Sequence, residues 1–444
     1  MASFLNFYTI MKLSFKKSRT LIVALMASVL LFSACQDQFE NDVINPDPDG
    51  LTYNDYQWGK WVRKWEEGIT SWPKTGSNNV RRPQIAINDD GDVLMVMQGK
   101  NSNKIYYRTG HTKNNDPNKI TWNGNKGEFS SSKKYPKVAL HNNEFIIVAT
   151  TTDAGSYTFP YYWSGTLSSD GALNFKTSTS GTQLYRPIQD GNFSGKVSFM
   201  VPAVTEEGLV IVISDKHSGT IRNEILFNVG RFNGSGKITF TSGNSGAARY
   251  TIKKLGAIGD SGLRAPAIAL AKIGSTNDGK KYRVLITEHN DEKIYYGVGQ
   301  LIDTGSGTTI DKDKGLNFIH WRNGSGNYVR TTSAYTKKLN PKDKYGMWRS
   351  SIALTNDENF IIVGDNDKQG GRVLSGHLNS LGEAVLDVGN TEEGITKLNV
   401  KGGVSRISIS RSPGGKIVAA YHNKNKDENG DTYKARFNFY QEDL

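Results

Sequence analysis

A chain of 444 residues can hold one to three domains. Hydrophobic residues make up 36% and glycines number 47, which suits an all-β protein with many solvated turns and enough apolar material for a sizeable core. The formal charge is +12, but the Lys and Arg are scattered and carry no nucleic-acid-binding motif, so nucleic acid is not an expected partner. The basic excess suits an anionic partner such as an acidic polysaccharide, and equally suits a solvated surface.

Residues 1–34 read as a targeting segment. Lys12, Lys16, Lys17 and Arg19 form a positive stretch, Thr20 to Phe32 is a short apolar run, and Ser33-Ala34-Cys35 closes it. The run is too short to span a bilayer comfortably. Cys35 is the only cysteine, so no disulfide forms within one chain. Its position resembles a bacterial lipobox, which implies acylation of Cys35 and stable anchoring in a membrane. The Gln-Asp-Gln-Phe-Glu-Asn-Asp that follows resembles the export signal of lipoproteins on the outer face of the outer membrane. Residues 35–50, ending Asn-Pro-Asp-Pro-Asp-Gly, read as a flexible tether. The remainder, 51–444, is expected to be one domain.

Within 51–444 the main signal is self-similarity. The unit is an apolar strand starting near Arg or Pro, a polar turn, a β-branched strand, a variable loop, and strands rich in Tyr or Phe. Copies open at Arg82-Pro83, Tyr135-Pro136, Val197, Arg264-Ala265-Pro266, Arg349-Ser350 and Arg406-Ile407. Each offers four short strands, enough for a propeller blade, and no helical period separates them. The expected fold is a six-bladed β-propeller. Tyr53 to Thr70 supplies a closing strand or part of a seventh blade, and a double β-sandwich is the alternative. Trp58, Trp61 and Trp65 fall at helical spacing, either as a sugar-stacking platform or as a short element packed on the propeller.

Arginine recurs where the units begin: Arg82, Arg264, Arg349 and Arg406, with Arg81 and Arg186 as further candidates. Its planar fork binds carboxylate or sulfate bidentately. Inner strands of a propeller start around a central axis, so equivalent positions would converge on one end of the channel. The other reading has these arginines capping strand ends beside Asp or Glu.

The phrases Arg-Pro-Gln-Ile-Ala-Ile-Asn-Asp-Asp-Gly, Lys-Ile-Tyr-Tyr-Arg-Thr-Gly and Ile-Thr-Trp resemble secreted bacterial propeller repeats, a likeness that runs over roughly residues 80–440. More distantly, Arg82-Pro83 resembles the opening of the sialidase (BNR-like) propeller superfamily. That resemblance implies an arginine gripping a substrate carboxylate, a tyrosine nucleophile, a paired glutamate and an aspartate acid/base. Tyr421 and Glu288 occupy places that fit. Gln98 or Gly99 stands where the aspartate is expected, and no well-formed Asp-box is present. His289 and His422 follow second strands and would serve a uronate lyase as base. No zinc motif, nucleophile elbow, P-loop or dinucleotide fingerprint occurs. Oxygen ligands for calcium cluster at Asp365-Asn366-Asp367 and Asp427-Glu428-Asn429-Gly430-Asp431, where hairpin turns also account for them; no cofactor is expected. These residues support a glycan-binding surface lipoprotein first, a glycan-degrading enzyme on the same scaffold second, and an adhesive or structural module third.

Overall fold

The computed structural model describes residues 52–54, 59–61, 66–69, 80–99, 104–113, 116–129, 133–151, 160–184, 196–217, 224–240, 250–253, 264–277, 279–290, 293–305, 317–318, 337–338, 348–366, 370–379, 384–387, 396–397, 403–412, 415–427 and 430–442. The chain divides into Met1–Asp55 and Tyr56–Leu444. In the first unit the described residues are the short strand Thr52–Asn54; the leader, Cys35 and the tether lie outside them. Among the described residues, the second unit carries strands of six antiparallel sheets.

Each sheet begins with an inner strand: Val80–Ile87, Lys133–His141, Lys196–Val204, Arg264–Thr276, Trp348–Leu354 and Gly403–Arg411, in sheets one to six. Hairpin connections then lead outward strand by strand. The second strands are fully buried on both faces, as in Val93 to Met97, all at 0% exposure, because each is covered by the neighbouring sheets. That burial explains why they read as continuous β-branched and apolar runs rather than alternating ones.

Apolar clusters join neighbouring sheets. Phe145, Ile147 and Trp163 of sheet two pack on Leu94 and Val96 of sheet one. Sheets two and three share the cluster around Ile146 and Val212, and sheets three and four that around Ile213 and Ile286. Ile361 and Val363 of sheet five meet Ile409 and Tyr421 of sheet six. Val418 and Ala420 of sheet six return to Ile85 and Met95 of sheet one. The Tyr296 hydroxyl, in sheet four, accepts a hydrogen bond from Ala384 N, in sheet five, at 3.1 Å. The sheets are therefore arranged radially as a β-propeller and not stacked as two sandwich layers.

Five of the sheets have their own path of four strands or more in contiguous sequence, so the expected count of six blades is corrected to five. The last copy supplies only three strands, 403–411, 417–427 and 430–442. Its outer edge is filled by Gly59–Trp61, paired with Tyr440–Glu442, and by Glu66–Ile69. Of Trp58, Trp61 and Trp65, Trp61 stands in a short strand packed on the propeller's edge, opposite Tyr440, where edge pairing satisfies the backbone. Trp58 and Trp65 lie outside the described residues.

The first turn of several sheets repeats one device. A short polar side chain accepts the backbone N–H four residues on: Asn88 from Asp92 at 2.7 Å, Thr205 from Leu209 at 3.0 Å, Thr355 from Asn359 at 3.0 Å, and Ser412 from Lys416 at 3.1 Å. The fourth turn residue takes a positive φ, at Gly91, Gly208, Glu358 and Gly415. These turns line up at one end of the inner strands. The other end carries the candidate site.

Candidate functional site at the bulged ends of the inner strands

Every inner strand is broken by a β-bulge at the same register. The slip falls between Arg81 and Gln84, Lys134 and Lys137, Val197 and Met200, Arg264 and Ala267, Trp348 and Ser351, and Ser405 and Ser408. The first bulge residues are thus Arg82, Tyr135, Ser198, Ala265, Arg349 and Arg406. Four of these hold a left-handed backbone, with φ of 57° at Arg82, 58° at Tyr135, 48° at Ala265 and 51° at Arg349. A positive φ is costly for a residue with a Cβ, and bulges aim side chains off the normal pleat. Pro83, Pro136 and Pro266 follow at the second bulge position, where a missing N–H breaks no ladder bond.

The bulges of all six sheets line one cavity that opens to solvent. Arg82 and Gln84 come from sheet one, Tyr135 and Lys137 from sheet two, Phe199 and Val201 from sheet three. Ala265 and Pro266, Arg349 and Ser350, and Ile407 complete it. The lining contains Arg82, Lys137 and Arg349 as cations and no carboxylate among the described residues. Gln84, Lys137 and Val201 also line the central channel behind this mouth, which runs on over aliphatic side chains with Ser351, Ser408 and Ser410 among them to Arg411.

Arg82 is held from two sides. Its Nη1 donates to Gln98 Oε1 at 2.6 Å, and its guanidinium lies 4.1 Å from the Tyr135 ring centroid, a cation–π contact. Gln98 Oε1 also accepts the Tyr135 backbone N–H at 3.4 Å. The Tyr135 ring meets Phe199 edge to face at 5.0 Å. Arg82, Tyr135 and Phe199 therefore form an arc across three sheets, anchored on one buried amide. Behind it, Ser408 Oγ donates to Pro83 O at 3.2 Å, and Thr287 Oγ1 and Ser350 Oγ share a bond at 2.8 Å, so neighbouring sheets are tied together where they carry the mouth. Such an arrangement sets a planar cation at a fixed angle beside aromatic carbon in the cavity.

The predicted arginines are distributed as follows. Arg82 and Arg349 are register equivalents and share the cavity. Arg406 holds the same bulge position in sheet six; its side chain lies outside the described residues. Arg264 sits one position earlier than the strand-start pattern predicts. It pairs with His289 and corresponds to Arg81, while Ala265 takes the bulge. Arg186 lies outside the described residues.

The predicted catalytic residues are not brought to the mouth. Tyr421 is fully buried in the core between sheets five and six, among Ile361, Val373 and Ile407. Glu288 and His289 are buried on the second strand of sheet four, and none of the three lines the cavity. His422 is in register with Ser405, and its side chain lies outside the described residues. The two loops read for calcium are hairpin ends, with Asn366 opposite Gly370 and Asp427 opposite Gly430, and no three-ligand cluster occurs among the described residues. The residues that sequence reasoning missed are Gln98, as the partner of Arg82, and the aromatic pair Tyr135–Phe199. The Tyr-Pro that mirrors Arg-Pro was the signal for Tyr135; nothing in the sequence marked Phe199.

No protein-family profile matches the chain, and no curated protein matches it. Solved structures do. A protein of unknown function from Dyadobacter fermentans DSM 18053 is 8% identical, with a TM-score of 0.51, over 87% of this chain and 100% of that one. A Penicillium chrysogenum α-L-arabinanase complexed with arabinobiose is 12% identical, with a TM-score of 0.44, over 86% and 97%. A subtype N11 neuraminidase-like protein of A/flat-faced bat/Peru/033/2010 (H18N11) is 11% identical, with a TM-score of 0.42, over 86% and 94%. The likeness to the first of these is one of fold.

Proposed function

We propose that this protein is a lipid-anchored outer-membrane propeller, facing the cell exterior, that binds acidic glycans at the bulged mouth of its central channel. The observation that carries this reading is the lining of the mouth: Arg82, Lys137 and Arg349 beside the Tyr135–Phe199 edge, with no carboxylate among the described lining residues. A guanidinium held at fixed angle takes a carboxylate or sulfate as a paired acceptor, and aromatic carbon covers the apolar face of the sugar. The arginine ring is narrower than the repeats suggest, because Ala265 replaces arginine at the bulge of sheet four. Anchoring rests on the lipobox at Cys35 and places the propeller beyond the tether of residues 35–50.

Affinity electrophoresis of the whole chain in gels containing polygalacturonate tests this reading, with the methyl-esterified polymer as the neutral control. Retardation by the acid polymer alone is expected, and Arg82→Ala should weaken it about tenfold, the size of one charge-assisted hydrogen-bonded contact. Equal retardation of Arg82→Ala and the unaltered chain would sink the site. A protein ligand bound without any response to sugars would favour an adhesive module instead. Labelling with a radioactive fatty acid, lost in Cys35→Ala, checks the anchor.

A further inference from the structure

The six first bulge residues divide the mouth into two sides. Arginine holds that position in three consecutive sheets, five, six and one: Arg349, Arg406 and Arg82. Sheets two, three and four complete the ring and carry Tyr135, Ser198 and Ala265 there. The lining follows the same division. Arg349, Ser350, Arg82 and Gln84 come from the arginine side, with Ile407 among them. Tyr135, Phe199, Val201, Ala265 and Pro266 come from the other. Lys137 is the exception on that side; it lies two residues further down its strand, where it also lines the channel.

Two features fit the second side to an apolar group. Phe199 and Val201 stay partly exposed in the cavity, whereas Val210 to Ile213, on the next strand of the same sheet, are all at 0% exposure. Concave apolar surface left in contact with water is where an apolar group of a ligand gains from burial. Ala265 keeps a φ of 48°, close to 51° at Arg349 and 57° at Arg82, although it has no polar group to aim. Such strain persists only where the surroundings hold it. Here it sets a methyl group and the Pro266 ring into the cavity wall, at the register position that carries a guanidinium in sheets five and one. A methyl group fills less room than a guanidinium arm, so the wall is recessed at sheet four, next to the sheet that carries Phe199.

We propose that Phe199, Val201, Ala265 and Pro266 form a subsite for a small methyl-bearing substituent of the acidic glycan, an O-acetyl or O-methyl group, so that the mouth selects a substituted acid sugar over the bare one. This rests on the reading of the mouth as a site for acidic glycans and adds a second contact to it, across from the arginines. The acid group is taken on the side of sheets five, six and one, and the methyl group is buried against sheets three and four. An acetyl ester or methyl ether on a sugar hydroxyl leaves the carboxylate charged, so the two contacts act together, unlike methylation of the carboxylate itself.

Affinity electrophoresis of the whole chain compares plain polygalacturonate with its O-acetylated and O-methyl-ether forms, matched in length and carboxylate content. Burial of one methyl group corresponds to about a fourfold gain in affinity, so a substituted polymer should retard the chain at about a quarter of the concentration that the plain one needs. A gain with the acetyl form alone assigns the subsite to an acyl group, and a gain with the ether alone assigns it to an alkyl group. Ala265→Arg puts at this bulge the residue that nearly the same backbone carries in sheets one and five. It should erase the preference while binding of the plain polymer is kept or strengthened. Val201→Thr, polar but of nearly the same shape, should reduce the preference at an unchanged urea midpoint, and it decides the matter if Ala265→Arg does not fold. Equal retardation by all three polymers, with Arg82→Ala weakening each, would overturn the subsite and leave the mouth standing. A preference undiminished in both subsite variants would overturn its placement. Retardation unaltered in Arg82→Ala would remove the mouth and the subsite together.

Discussion

Arg82, Tyr135, Ala265 and Arg349 share a backbone conformation that side chains with a Cβ rarely take, each at the first residue of a bulge. Strain of this kind costs about 1–3 kcal/mol per residue and persists only where the surroundings hold it. Ala265 has no polar group to place, so replacing it isolates the backbone contribution. Ala265→Gly should leave the unfolding free energy unchanged or raise it by up to about 1 kcal/mol, whereas Ala267→Gly in the regular ladder beside it should lower it by about 0.5–1 kcal/mol. Urea unfolding followed by circular dichroism separates the two.

At the scale of elements, the inner hairpins carry a second set of polar ties at the end opposite the mouth. Asn88 Nδ2 donates to Asn142 O at 2.6 Å, Glu144 Oε1 accepts Gly236 N at 2.6 Å, and Lys272 pairs with Glu206 at 2.7 Å. Arg283 pairs with Glu358, and Lys416 Nζ reaches Asp89 O at 3.3 Å. Each tie joins one sheet to the next, so the turns latch the sheets while the bulges are left to shape the mouth. Glu144 is informative about pH. Burial pushes its carboxyl pKa up, with the Gly236 and Gly234 backbone N–H groups opposing in part. A carboxyl whose pKa is higher folded than unfolded binds its proton more tightly in the native state. Its contribution to stability therefore falls as pH rises through the ordinary carboxylate range and stays low above it. Glu144→Gln should remove that fall: its stability relative to the unaltered chain should improve between about pH 4 and pH 7. A relative stability that declines over that range would show that the backbone bonds outweigh the burial.

For the molecule as a whole, stability depends on sheets that are each incomplete without their neighbours. Asp303 shows this best. It is 2% exposed and accepts Thr205 Oγ1 at 2.6 Å, Gly305 N at 3.0 Å and the guanidinium of Arg231, joining sheets three and four. Asp303→Ala leaves Arg231 without this partner in a largely buried place and should cost about 3–5 kcal/mol in unfolding free energy, measurable by chemical denaturation. The composite sheet is the other weak point of such a ring. Its outer strands come from residues 59–69 and its inner three from 403–442, so its pairing spans most of the second unit. Closing a loop of that length carries an entropic cost that rises only slowly with length, and the paired edge offsets it.

Much of this architecture was legible in the chain. The Asn-Asp-Asp-Gly turn, the buried run Val93 to Met97 and the recurring Arg-Pro or Tyr-Pro openings are local signals, and local chemistry of turns, bulges and burial produces them. The closing role of Tyr53 to Thr70 was legible as a segment, but not which residues pair, because a three-residue strand such as Gly59–Trp61 has no pattern of its own and exists only where an open edge meets it. The site was half legible. Arginine at the strand starts pointed to the mouth, but which arginines share it depends on where the ladder slips by one residue, and Arg264 and Ala265 exchange roles on that account. Sequence alone determined the repeated unit and the chemistry it carries; the radial packing decided which copies of that chemistry meet, since residues far apart in the chain become neighbours only when the inner strands gather around one axis.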